Sequence, residues 1–134
     1  MLIPLSTLDE ALTIFHDEFD IYPLWLCPFY LSPPKSENLQ PFVASQSNDC
    51  LFVDVGAYGT PKSKSFHHIR SLRRVESFVR KVKGYQALYA DTLMTREEFK
   101  DMFNHTGYEK MRKKWNAEDS LPEVYEKICR AARR

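Results

Sequence analysis

The sequence has little of what most strong functional signatures require. Its 134 residues include only four glycines and three cysteines. None of the patterns GxGxxG, GxxxxGKS, GxxxxGKT, GxSxG or HExxH occurs. The cysteines, Cys27, Cys50 and Cys129, are odd in number and lack CxxC spacing, which favours free thiols over a disulfide framework or a metal site. No catalytic class follows from a motif, and no metal is expected.

Long apolar runs and a large net charge are also missing. The N-terminus, MLIPLSTLDE, lacks the basic segment and apolar run of a signal peptide, and no run is long enough to span a bilayer. The formal net charge is +1, so no whole-protein field favours nucleic acid. We therefore expect no nucleic-acid partner and no targeting or transmembrane segment in this chain. A membrane link would come through a partner, a further segment or a surface patch.

Aromatic residues are plentiful, at 13% of the chain, with nine Phe, seven Tyr and two Trp. Because aromatic side chains supply large burial energies, this content argues against disorder. Apolar residues make up 43% and charged residues 28%, which is ordinary for a globular protein. The length suffices for one modest core.

The first third of the chain predicts a strand, a helix and a second strand. Residues 2–5 are apolar and suit a short strand. Thr7 and Glu10 fit a capping box, and helical periodicity continues to about Asp20. Residues 21–30 are apolar but hold two prolines, which exclude a helix and indicate an edge strand or irregular ends.

The next segment repeats the pattern after a polar, proline-rich loop at 31–49. Residues 50–56 predict a third strand. A helix is expected from about Phe66 to a stop at Gly84, and 85–90 predict a fourth strand. The buried stripe of this second helix is predicted to comprise Ile69, Leu72, Val75, Phe78, Val79 and Val82.

The order strand, helix, strand, strand, helix, strand predicts an α+β fold of the ferredoxin-like βαββαβ type. Such a fold has a four-stranded antiparallel sheet with two helices on one face. We assign it to residues 1–92, and short C-terminal helices to 93–134. Capping boxes are predicted at Thr95 with Glu98 and at Ser120 with Glu123.

The sheet face without helices is the expected binding surface. Asp54, within FVDVG, should point to the same face as Phe52. If that face is covered, the carboxylate needs a partner and its pKa rises; otherwise it meets solvent. Aromatic residues on or beside the strands are Tyr22, Trp25, Phe29, Phe52, Tyr58, Tyr85 and Tyr89. Those on the open face suit a flat apolar ligand, a stacked ring or a partner domain.

Six segments in order resemble one known family. They are YPLWLCPF (22–29), VDVGAYG (53–59), FVRKVKGYQALYAD (78–91), MTREEFKDMFN (94–104), YEKMRKKW (108–115) and LPEVYEKICRAARR (121–134). Together they resemble the C-terminal region of the 24-dehydrocholesterol reductases, the delta-24 sterol reductase family.

The resemblance implies a vanillyl-alcohol-oxidase-type flavoprotein with an N-terminal FAD-binding domain and a ferredoxin-like cap. Such an enzyme uses NADPH, through FAD, to reduce the C24–C25 double bond of a sterol at the cytosolic face of the endoplasmic reticulum membrane. Nothing in this chain resembles the FAD-binding domain or the family's membrane segment. We therefore expect FAD to be held mainly by a domain missing here, with residues 93–134 packing toward it. The fragment alone should be inactive, and membrane association should come only through the parent enzyme.

Residue roles follow from the resemblance and the strand positions. The predicted catalytic residues are Asp54, Tyr58 and Tyr89. Tyr22, Trp25, Cys27 and Phe52 are predicted to face substrate or flavin, and Tyr108 and Arg112 to contact the flavin domain. The alternative is a stand-alone ferredoxin-like module that binds a ligand or a partner. RNA-recognition domains share this strand order, but residues 50–59 lack their basic and aromatic pattern.

Overall fold

Three apolar segments build a small antiparallel sheet. In the computed structural model, which describes residues 1–31, 51–89 and 91–132, β1 (Leu2–Pro4), β2 (Leu24–Tyr30) and β3 (Leu51–Ala57) form a sheet of order β1-β3-β2. Both outer strands run antiparallel to β3. The edge position predicted for the second strand is confirmed. The predicted loop at 31–49, after its first residue, and Cys50 lie outside the described residues.

Two longer helices cover one face of this sheet. A 3-10 turn (Leu5–Thr7) leads into α1 (Leu8–Glu18), and α2 (His68–Lys81) follows β3. Their apolar stripes pack on alternate residues of β3, because successive strand side chains point to opposite faces. The core includes Ile3, Ile14, Phe15, Val53, Val55, Val75, Phe78 and Val79.

Three short helices complete the chain: α3 (Arg96–Met102), α4 (Thr106–Lys114) and α5 (Val124–Ile128). The capping box predicted for α3 is confirmed, since Thr95 Oγ1 accepts from Glu98 N and Glu98 accepts from Thr95 N. In α5, however, Glu123 caps the helix with Glu126, so the predicted pair of Ser120 and Glu123 is wrong.

Over its described residues, 85–89, the predicted fourth strand at 85–90 does not form, and a four-stranded ferredoxin-like sheet is not confirmed. Tyr85 makes one antiparallel bridge, exchanging two 2.9 Å backbone hydrogen bonds with Leu2. The next amide, at Gln86, turns away from β1 and lies 3.3 Å from Met102 Sδ. With only three residues, β1 offers a short edge, and contact with α3 diverts the chain after one pair. The structure is mixed α and β with a three-stranded sheet.

Two further local predictions are corrected. Thr7 Oγ1 donates to Pro4 O at 2.8 Å instead of accepting from the first turn of α1, so no capping box with Glu10 forms. In α2, Ile69 is 49% exposed and lies off the predicted stripe. Glu76, which was not predicted to be buried, lies on the buried face of the helix instead. Helical periodicity therefore predicted the helix correctly but misplaced one edge of its buried face.

A partly buried ionic network ties α2 to α3 and to the segment before it. Arg73 binds Glu98 of α3 through two hydrogen bonds, and Arg80 adds a third to the same carboxylate. Glu76 accepts from Thr92 Oγ1 at 2.9 Å and from the Leu93 amide at 2.7 Å. These bonds hold the segment after Tyr89, and with it α3, against the helix layer.

Candidate functional site

The face of the sheet turned away from the helices carries several of the predicted site residues. Val53 packs into the helix-covered core, so its neighbours Phe52 and Asp54 point together to the other face, as expected. The strand register sets Cys27 opposite Asp54. Trp25 lies two residues before Cys27, on the same face, and is 55% exposed. The structure thus groups Trp25, Cys27 and Asp54 on one surface.

Asp54 is a half-buried carboxylate at the centre of this face. Its Oδ1 accepts a 3.0 Å hydrogen bond from the Met1 nitrogen. Nearby, the pKa of Tyr85 is raised, first by burial of its ring and then by the negative charge of Asp54. Asp54 therefore acts at a distance on the phenols around it, and it favours the form in which they keep their protons.

Tyr58 and Tyr89 form a pair of phenols, with their hydroxyl oxygens 3.4 Å apart. The Tyr58 ring lies over Gly56, where a Cβ would meet Tyr58 Cε2 at 3.1 Å and Trp25 Cβ at 3.5 Å. The pKa of Tyr89 is raised by the hydrogen bond with Tyr58, by burial, and by the charges of Tyr58 and Asp54. Either hydroxyl can donate the hydrogen bond while the other accepts it.

A cavity of about 470 Å³ opens beside this pair. Its walls come from the end of β3, the inner sides of α1 and α2, and the segment after Tyr85. The apolar lining includes Phe15, Phe19, Ile21, Phe66, Leu72 and Val75. Tyr58 and Tyr89 line it too, yet they are 68% and 72% exposed, which places them at its mouth. A cavity of this size and lining suits a small apolar ligand.

A buried amide lies beside the cavity. Gln86 lines the cavity and is only 6% exposed. Its Nε2 reaches Asp91 O at 3.5 Å, but its Oε1 has no hydrogen-bond partner among the residues described. Buried polar atoms in native proteins are nearly always paired, so this acceptor calls for a donor.

Two predicted ligand-facing residues are engaged in other contacts. Phe52 is fully buried in a small cluster with Leu2, so its ring has no exposed surface. Tyr22 precedes β2, and its hydroxyl is 3.1 Å from His16 Nδ1 of α1. Tyr22 is therefore joined to the helix layer.

Tyr108 and Arg112 lie in α4 and are engaged within the chain. Arg112 Nη2 donates to Glu118 O at 3.0 Å and Leu121 O at 2.7 Å, and Nη1 lies 3.4 Å from Tyr108 Oη. Tyr108 Oη also accepts from the Val124 amide at 3.3 Å. These bonds close the turn between α4 and α5. Contact of either residue with a flavin domain stays a prediction.

Potential metal ligands are scattered over the part of the chain that the structure describes. No group of three or more His, Cys, Asp or Glu side chains within 1–31, 51–89 and 91–132 could hold a metal ion. Cys27 and Cys129 are free thiols. The polar side chains that line the cavity include the Tyr58 and Tyr89 phenols, the Gln86 amide and the His68 imidazole.

Comparison with known proteins gives consistent matches over the whole chain. It is 47% identical over 135 residues to a delta(24)-sterol reductase homologue of Caenorhabditis elegans, which covers 100% of the chain and 25% of that protein. The human delta(24)-sterol reductase is 46% identical over 134 residues, and the match covers 99% of the chain and 25% of the human protein. The delta(24)-sterol reductase of Arabidopsis thaliana is 32% identical over 143 residues, and the match covers 95% of the chain and 25% of that protein.

By sequence, the chain belongs to the delta(24)-sterol reductase family. It spans about a quarter of the length of the curated relatives it matches. No protein-family model and no solved structure matches the sequence. Among the described helices, none has both the length and the apolar character needed to cross a membrane.

Sequence reasoning missed most of the cavity wall in this family member. Phe15 and Phe19 lie within the first predicted helix, Phe66 at the start of the second, and Gln86 within the predicted fourth strand at 85–90. None of these positions predicts a ligand site. The available signal was the place of Gln86 as a lone amide within the apolar segment YQALYA, where a buried strand would leave it without a partner.

Proposed function

We propose that this chain is the C-terminal part of an FAD-dependent, NADPH-using oxidoreductase that reduces the C24–C25 double bond of sterols. One observation carries the proposal: animal and plant delta(24)-sterol reductases match nearly the whole chain, at up to 47% identity. The parent enzyme would be a vanillyl-alcohol-oxidase-type flavoprotein at the cytosolic face of the endoplasmic reticulum membrane. The rest of it would include an N-terminal FAD-binding domain, toward which 93–134 would pack.

The cavity supports a sterol as the substrate. Sterols are large and apolar, and their binding releases water from apolar walls such as those of Phe15, Phe19 and Leu72. Closure of the mouth by a neighbouring domain would exclude the remaining water. Because a reactive reduced cofactor is protected by a dry site, such walls serve the chemistry as well as the binding.

The residues present fit only a small part of an FAD site. The whole chain has four glycines and no glycine-rich loop for a pyrophosphate. The exposed rings of Trp25 and Tyr58 at the open face offer a flat surface that could cover an isoalloxazine ring. Bound FAD, reduced by NADPH, would supply a hydride to one carbon of the double bond. The nucleotide part of the cofactor must be held outside this chain.

We assign the proton of the reaction to the Tyr58–Tyr89 pair. The phenol hydroxyls lie 3.4 Å apart at the mouth, so one can give up its proton while the other donates a hydrogen bond to the oxygen left behind. The negative charge of Asp54, which helps to raise the pKa of Tyr89, would help to keep the Tyr89 phenol protonated until that step. Trp25 and Cys27 would line the same surface.

A chimera tests the proposal. The chain replaces the matching quarter of the human relative, and sterol reduction is measured with NADPH by mass spectrometry of the product. Activity in the chimera, and its absence from the 134-residue chain, supports the proposal. A chimera that folds and retains flavin but does not reduce the sterol would contradict it.

The proton donor is tested in the same chimera. Tyr58→Phe or Tyr89→Phe should slow reduction by about 100-fold while flavin stays bound, because proton donors of this kind contribute at least that much. Tyr30→Phe is the matched control, since Tyr30 is exposed on β2 and has no assigned role. Unchanged rates in both tyrosine variants would remove the pair from the mechanism.

A further inference from the structure

One side of α4 exposes two large apolar side chains. None of the residues of this helix is buried. Met111 is 47% exposed, and Trp115, in its last turn, is 71% exposed. The Trp115 amide donates to Met111 O at 3.1 Å, so the two side chains lie one helical turn apart on the same side. Exposed apolar side chains that lie together indicate a contact surface more strongly than single ones do.

Two lysines lie beside this apolar pair. Lys110 and Lys114 directly precede Met111 and Trp115, so they form a parallel row along the neighbouring strip of the helix surface. Both lysines are exposed, and neither forms an ion pair with a described residue. Lys114 Nζ lies 5.4 Å from the centre of the Trp115 ring. These four residues are called the α4 patch below.

The other sides of α4 are occupied within the chain. Tyr108 and Arg112 hold the turn to α5, as described above. Glu109 is the one acidic residue of this helix, and its Oε1 pairs with Lys100 Nζ at 3.2 Å. Glu109 lies about a third of a turn or more from each lysine of the patch, because successive helical residues are about 100° apart. The patch therefore keeps its positive charge.

Charge and ring chemistry together select the occupant of the α4 patch. An acidic protein or a nucleic acid would pair with the lysines but gives Met111 no apolar phase to enter. A lipid surface meets both needs, since lysine tips reach headgroup phosphates while Trp and other apolar side chains enter the boundary below them. Trp is also a residue that membrane proteins place at this depth.

We propose that the α4 patch binds the surface of an anionic lipid bilayer. In this arrangement α4 lies in the plane of the membrane, Met111 and Trp115 enter at headgroup depth, and Lys110 and Lys114 contact lipid phosphates. The chain itself then makes a membrane contact through its surface. The contact requires neither a flavin nor a sterol, so it stands apart from the proposed reductase function.

Vesicle sedimentation of the 134-residue chain tests the proposal. One set of vesicles is phosphatidylcholine alone, and the other is an equal mixture of phosphatidylcholine and phosphatidylserine. The chain should bind the mixed vesicles at least about tenfold more tightly, because each lysine near an anionic surface strengthens binding about fivefold. Added salt should weaken this binding by screening the charges. Equal binding to both vesicles, or no binding to either, would overturn the proposal, and the second result would leave the patch to a protein partner.

Substitutions locate the contact. Lys110→Gln combined with Lys114→Gln should weaken binding to the mixed vesicles by roughly 25-fold. The matched control is Lys62→Gln combined with Lys64→Gln, which removes the same charge from exposed positions outside the patch and should have a much smaller effect. Circular dichroism checks that each variant is folded. Equal losses in the two double variants would show that net charge, and not the patch, governs binding.

Tryptophan fluorescence tests the depth of insertion. The chain has two tryptophans, so Trp25→Phe leaves Trp115 as the single emitter. On mixed vesicles its emission should shift to shorter wavelength and be quenched by brominated lipid. Trp115→Ala should weaken vesicle binding at least about tenfold, through lost burial of the ring, whereas Trp25→Ala should leave it unchanged. An unshifted, unquenched Trp115, or dependence on Trp25 in its place, would overturn the proposal.

Discussion

The guanidinium of Arg73 binds both carboxylate oxygens of Glu98, with Nη1 2.7 Å from Oε2 and Nη2 2.8 Å from Oε1. This bidentate pair joins α2 to α3, and Arg80 Nη1 adds a bond of 2.7 Å to Oε1. The hydrogen bonds from Arg73, with the Thr95 amide and the charge of Arg80, lower the pKa of Glu98 to about 2 despite its burial. Charge-assisted, bidentate bonds of this kind are among the stronger ones in proteins.

Glu98→Gln should lower the free energy of unfolding by about 1–3 kcal/mol at pH 7. Because the pKa of Glu98 in the folded state is below its unfolded value, the carboxylate stabilises the fold above pH 4.5, and this is lost as the pH falls toward 2. Urea unfolding at pH 7 and pH 3 checks this. Glu97→Gln, one residue earlier and exposed, should change stability much less than Glu98→Gln does. A loss of equal size at both pH values for Glu98→Gln would contradict the ionic explanation.

Gly84→Ala should destabilise the protein by about 2–3 kcal/mol. A Cβ at Gly84 would lie 2.4 Å from Leu2 O and 3.1 Å from side-chain atoms of Ile3 and Val79. The backbone of β1 would have to move, and with it the single bridge to Tyr85. Thermal unfolding measures the effect. Gly107→Ala, in the first turn of α4, is the matched control and should be neutral or slightly stabilising. Equal stability of the two variants would show that the contact with β1 is not tight.

Arg112→Met should loosen the connection between α4 and α5. The guanidinium holds the carbonyl oxygens of Glu118 and Leu121, and methionine keeps the apolar stem without the donors. Amide hydrogen exchange over residues 115–123 should rise at least about tenfold, which corresponds to about 1.4 kcal/mol of local opening. Lys113→Met, on the exposed side of α4, should leave exchange unchanged. A protected turn in Arg112→Met would show that other contacts hold it.

Tyr58→Phe should bring the pKa of Tyr89 back toward its ordinary value. The hydrogen bond with Tyr58 is the main reason that this pKa is raised, ahead of burial and the charges of Tyr58 and Asp54. Titration followed by the 13C shift of Tyr89 Cζ measures the change. Tyr22→Phe removes a phenol whose hydroxyl pairs with His16, and it should leave the titration of Tyr89 as it was. An unchanged pKa of Tyr89 in Tyr58→Phe would show that the hydrogen bond with Tyr58 does not raise it.

Local signals in the sequence predicted the elements whose stabilising groups are close together along the chain. Thr95 and Glu98 cap α3 as expected, because both partners of the box lie within one turn. The same pattern at Thr7 failed, since a 3-10 turn brought Pro4 O within reach of the Thr7 hydroxyl first. A pattern of residue types cannot tell which of two nearby acceptors a side chain meets.

The cavity lay beyond sequence reasoning for a different reason. Alternation correctly set Phe52 and Asp54 on one face, because the strand period is local. The position of Gln86 depends on where the chain goes after one bridge to β1, and contact with Met102 decides that. The residues that line the cavity come from distant parts of the chain. Contacts of this kind leave no periodic pattern in the sequence.

The geometry at the mouth of the cavity depends on the absence of a side chain at Gly56. The Tyr58 ring occupies the space that a side chain at this position would need, 3.1 Å from the site of a Cβ. One methyl group would push the ring outward and strain its 3.4 Å approach to Tyr89. The distance between the Tyr58 and Tyr89 hydroxyls is thus set in part by Gly56, a residue that has no functional group of its own. A substitution at Gly56 could therefore alter proton donation at the mouth while both tyrosines stay in place.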